Sequence, residues 1–212
     1  MAEYGVHQDG RAADRLAALG LSESVLVRVL LQADAEASQV TALDPPTAEG
    51  MARYAATVRF LRMALLPLGW DYDNAGNFCR TMAPLATHAL VASSGDAETA
   101  QPHGNPSTKY VKGEATTQAV VNNQLMLDLG PAFRVGAGSG GDAVPTWFLL
   151  QRVESDVIHA ELSLPRRATA GRIVEWEERI LLSPIDRTGL AQAASLTDDD
   201  QGDAYDVGVI RR

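Results

Sequence analysis

The apolar residues of this chain change period once, and the change falls at Pro67-Leu68-Gly69. Before it, Val25, Leu26, Val29, Leu30, Ala33 and Ala37 recur at helical spacing behind Ser22, which is placed to cap a helix. Asp44-Pro45-Pro46 breaks that helix. A second stripe follows from about Thr47, with Met51, Tyr54, Ala55, Val58, Leu61 and Leu65 expected on one buried face. Pro67 and Gly69 stop it, as a helix end requires.

Beyond Gly69 the pattern alternates. Gly69-Trp70-Asp71-Tyr72-Asp73, the turn-rich Asn74-Ala75-Gly76-Asn77 and the returning Phe78–Met82 predict a hairpin. His88 to Ser93 is more continuously apolar, as a central strand covered on both faces should be. Thr116 or Thr117 is placed to cap a third helix running to about Leu129, and a glycine-rich connection spans Gly136 to Gly141. Thr146–Val153, Asp156–Leu164 and Ile173–Leu182 then read as strands with short joints, Arg166–Gly171 separating the last two, which favours an antiparallel meander. The expected class is α+β: an N-terminal helical hairpin and an antiparallel sheet of about five strands with one inserted helix.

With 46% hydrophobic residues in 212, the chain can bury a sizeable core, and a single domain over residues 1–190 is expected. Residues 191–212 lose periodicity and carry Asp198, Asp199, Asp200, Asp203 and Asp206. That composition predicts a flexible acidic tail, which a basic partner protein would attract. A net charge of -9 argues against a duplex-DNA binder, which needs clustered Lys and Arg. No membrane span or signal peptide is expected, so the expected location is cytoplasmic. Cys79 is the only cysteine, so there is no intrachain disulfide, and the residue reads as a small core side chain.

Chemistry is best placed in the loop from Asp96 to Gly113, which leaves a central strand and enters a helix N-terminus. Ser107, Thr108, Lys109 and Lys112 make a local basic, hydroxyl-rich patch in an acidic chain, and Tyr110 is available to stack on a ring. They form a candidate anion-binding site, the one place where nucleic acid would be held. The spacing is not that of a P-loop, because Lys112-Gly113 is in reversed order.

A second possibility is an acid/base group of Asp96, His159 and Glu161, with His159 and Glu161 sharing a sheet face with Glu175, Glu177 and Arg179. The same Glu and Arg residues also suit a water-facing sheet. The four histidines have no metal-ligand spacing, and His88 reads as a strand-end residue. The Asp71/Asp73 region lacks the terminal Glu of a calcium loop, and no nucleophile elbow or dinucleotide fingerprint is present. No metal or cofactor is expected.

Leu19-Gly20-Leu21-Ser22, Leu68-Gly69-Trp70, Ser94-Gly95-Asp96, Ser107-Thr108-Lys109, Glu161-Leu162-Ser163-Leu164-Pro165 and Trp176-Glu177-Glu178-Arg179-Ile180 resemble landmarks of an uncharacterised bacterial protein group. That group turns up in chromosomes, plasmids and phages. The resemblance implies a bacterial, one-domain protein and carries over no functional residue. The expectation is an accessory or binding module with a protein partner. The alternative is an enzyme acting on a phosphorylated or nucleic-acid substrate near Asp96, His159 and Glu161.

Overall fold

The computed structural model describes residues 5–111, 113–129 and 144–188. The Gly136–Gly141 connection and the acidic tail lie outside them, as does Lys112. In chain order the elements are β1 (Gly5–His7), α1 (Asp9–Ala18), α2 (Glu23–Ala37), α3 (Ala48–Leu65), β2 (Asp71–Asp73), β3 (Arg80–Met82) and β4 (Ala89–Ser94). They continue with α4 (Glu114–Leu129), β5 (Thr146–Glu154), β6 (Val157–Thr169), β7 (Arg172–Leu181) and β8 (Ile185–Asp186).

The α+β class holds. The Ser22 hydroxyl accepts the Val25 amide at 3.4 Å and starts α2. Gly69, left-handed at φ 84°, ends the turn after α3. The hairpin of β2 and β3 forms as the alternation requires.

The sheet corrects the expected count and sense. Among the described residues it has eight strands, ordered β1-β7-β6-β5-β4-β3-β2 with β8 also on β6. It is mixed rather than antiparallel, because β4 and β5 run parallel, as do β1 and β7. The physical reason for the first pair is the segment between them. Parallel neighbours need a long crossover, and the loop plus α4 supplies it. β6 also runs on through the expected separator to Thr169, turning into β7 at Ala170-Gly171, both at positive φ.

Two apolar layers flank the sheet. One face carries Leu90, Trp147, Leu149, Ala160, Leu162 and Ile180, packed against Leu16 of α1, Leu26 and Leu30 of α2, and Leu61 and Leu65 of α3. The opposite face carries Val91, Phe148, Leu150, Ile173 and Trp176, joined by Val120 of α4. Trp176 reaches this face because the β6–β7 register slips, pairing Leu164 with Glu178 and then Pro165 with Trp176. Glu175 and Glu177 accordingly pair with Arg167 and Arg166 and do not join Glu161.

The second face is the one expected to be wet. It is sealed instead, with Glu161 0% and Arg179 3% exposed. The Arg179 guanidinium grips the Glu161 carboxylate through Nε at 3.1 Å and also through Nη2. Ser163 Oγ donates to the same carboxylate at 2.8 Å. Removing one partner of such a pair strands a charge in a dry interior. Arg179→Met should therefore cost about 3–5 kcal/mol of folding stability in urea titrations, whereas a loss below about 1 kcal/mol would mean that water reaches the pair.

Candidate functional site

The 95–111 segment is the seal over that buried pair. Gly95 bridges Thr108, the Lys109 amide donates to the Ser94 carbonyl at 3.0 Å, and the Asp96 amide donates to the Ser107 carbonyl at 3.1 Å. The sheet holds the segment from below. The Ala100 amide donates to Glu161 Oε2 at 2.8 Å, and Arg179 donates to the Gly104 and Gln101 carbonyls at 2.7 and 3.2 Å. Trp176 Nε1 donates to the Pro106 carbonyl at 2.7 Å, and Arg172 to the Thr108 carbonyl at 3.1 Å. Each of these bonds satisfies a loop backbone group that burial would otherwise penalise.

This geometry redistributes the expected anion-binding residues. Thr108 is fully buried, and Ser107 is half-buried with its Oγ shielded from solvent. Lys109 and Tyr110 are exposed together, with the Lys109 Nζ 5.6 Å from the Tyr110 ring centre. Lys112 lies outside the described residues. Glu114 occupies the first turn of α4, where its charge opposes an incoming anion.

The acid/base candidates are each engaged in structural contacts. The Asp96 carboxylate accepts the Glu98 and Ser107 amides at 3.0 and 2.9 Å, which shapes the loop. Both oxygens of Glu161 are taken up by Arg179, Ser163 and Ala100. His159 shares the Glu161 face, pairs across the sheet with Arg152, and sits 3.7 Å from Glu154. No group of three metal-ligating side chains occurs among the described residues. His88 is buried against Trp70, and burial, aided by the Arg15 charge, holds its imidazole below the usual histidine range.

A concave surface that the sequence did not single out lies on the other side of the molecule. It is an open groove of about 540 Å³ between the outer face of α3 and the β2–β3 arm. Tyr54, Val58, Arg59, Arg62, Met63 and Leu66 form one wall; Tyr72, Asn74 and Cys79 form the other. Met51, Tyr54 and Ala55, expected in the core, are exposed, Tyr54 and Ala55 on this groove. The buried side chains of α3 are instead Arg53, Ala56, Thr57, Val58, Leu61 and Leu65. Arg53 turns inward because it meets the buried Asp34 of α2, which also binds Arg187. That inward turn carries the start of the apolar stripe out to solvent. Cys79 likewise is half-buried on the groove wall and not in the core.

Arg62 ties the two walls together. Its Nη2 donates to Asn74 Oδ1 at 2.8 Å and to the Asp73 carbonyl at 3.1 Å, while its guanidinium lies 4.4 Å from the Tyr72 ring centre. Arg80 closes the arm from behind by gripping Asp73.

Against protein-family models, curated proteins and solved structures alike, the chain gives no match.

Partial burial of the Tyr54 phenol against the groove wall, reinforced by a hydrogen bond to Cys79, pushes its pKa up to about 12. A tyrosine kept neutral in the fold loses its stabilising contribution as pH rises from the unfolded value near 10 through 12. In a spectrophotometric titration, Tyr54→Phe should remove a phenol that ionises near pH 12. Loss of a phenol that ionises near 10 would contradict this packing.

Proposed function

We propose that this chain is a non-enzymatic binding module, an accessory protein of a bacterial, plasmid or phage system that engages a protein partner through the α3 groove. The observation that carries the reading is the set of large side chains left partly in solvent on its walls, Met63 61%, Tyr72 48% and Tyr54 41% exposed, with Met51 69% exposed one turn before Tyr54 on α3. Large side chains exposed around a concave surface are what a partner protein can cover. Tyrosine and arginine are also the residues that anchor protein interfaces, and methionine adapts to irregular partners. The cytoplasm is the proposed setting. No single helix among the described residues is long and apolar enough to cross a membrane.

The enzymatic alternative has less support, because Asp96 and Glu161 already serve the loop and the buried pair. Nucleic-acid binding would rest on Lys109 and Tyr110 at the loop surface.

Affinity purification from the native host separates these readings. Met63→Glu, at an exposed position, should weaken the stoichiometric co-purifying protein by at least about tenfold, the effect of roughly 1.4 kcal/mol. Lys109→Ala/Lys112→Ala should leave that partner in place. Retention by the first variant and loss by the second would move the binding surface to the loop.

A further inference from the structure

We infer that the α3 groove takes a linear, acidic segment of a partner protein, anchored by an aromatic or large aliphatic side chain. The inference rests on the groove being the binding surface and adds the chemistry of its occupant.

Charge points to the acidic character. The chain carries a net -9, yet the groove is lined by Arg59 and Arg62 and by no Asp or Glu. Arg59 pairs with Glu36, and both side chains are about half exposed. A pair so open to water is weakly held, so an incoming carboxylate can displace Glu36 from it. Arg62 is held to the β2–β3 arm through its Nη2 and its Nε is buried, so it lends the wall positive charge and not a free donor. Val58, Met63 and Leu66 with the two tyrosine rings give the apolar floor for an anchor.

The strand beside the groove narrows the mode of binding. β2 ends the sheet, but the Asp71 carboxylate occupies the Tyr72 amide at 2.8 Å. A three-residue edge guarded by an acidic side chain is a poor template for strand addition. Recognition therefore runs through side chains. A second copy of the chain fits less well, since a two-fold contact sets the arginine-lined patch against itself.

Cys79, the single thiol, stands on the groove wall and reports occupancy in the intact chain. Its alkylation rate by a small maleimide would be measured with a capped hexapeptide Asp-Asp-Trp-Leu-Asp-Leu and with the analogue bearing Lys for each Asp. The acidic peptide should slow alkylation about tenfold at saturation, its Lys analogue should not, and Arg59→Glu should abolish the protection. Equal protection by both peptides would overturn the acidic assignment while leaving the groove as the binding surface. Protection by neither would overturn the inference. If Met63→Glu then also retained the native partner, the groove reading would fall with it. The chain's own Asp198–Asp206 stretch has a related composition, with Tyr205 among its aspartates. If Asp198→Asn/Asp199→Asn/Asp200→Asn sped alkylation with no peptide present, the occupant would be this chain's own segment and the partner assignment would be wrong.

Discussion

The ion pair between Glu161 and Arg179 decides what the second face of the sheet is for. A carboxylate and a guanidinium that have left water must find every hydrogen bond inside the protein. Ser163 supplies one, and the rest come from the 95–111 segment, through the Ala100 amide and the Gln101 and Gly104 carbonyls. The dependence is mutual. Ordering so long an irregular segment costs about 1–2 kcal/mol of backbone entropy per residue, which only such fixed anchor points offset. The loop is thus the cover of a polar interior, and Trp176 and Phe148 pack beside it in the same layer. For that reason Thr108 turns into the protein and Asp96 serves the loop's own amides.

Much of the fold was legible because its signals are local. Ser22 with its apolar stripe, the Asn74–Asn77 turn and the alternation in β5, β6 and β7 each depend on a few neighbouring residues. That alternation also placed Glu161 and Arg179 correctly on one face. Whether the face meets water depends on residues 95–111, far away in sequence, and no strand pattern encodes that. The parallel pairing of β4 and β5 was missed although a strand, a helix and a strand in succession is its usual signature. β1 had no signal of its own. Its three residues are strand because they pair with Glu178, Arg179 and Ile180, and because His7 and Arg15 meet Glu178.

The groove was missed for a different reason. Its apolar residues were visible in the sequence, as the Met51–Leu65 stripe, but were assigned to the core. An amphipathic stripe records that a helix has an apolar side and does not say whether the partner belongs to the same chain. The buried Asp34–Arg53 contact holds the start of α3, where Met51 and Tyr54 are exposed, while Leu61 and Leu65 further along the same stripe are buried in the core. The surplus of apolar surface on α3 is what makes the groove a candidate for binding.

Hydrogen exchange at single amides tests the central claim, that the buried ion pair holds the 95–111 segment closed. The informative amides are Ala100, bound to Glu161, and Lys109, bound to Ser94. A closed segment predicts that both exchange about as slowly as amides within β5, since opening them requires breaking the same core. Exchange of Ala100 and Lys109 at the rate of an unstructured loop, with β5 still protected, would contradict it.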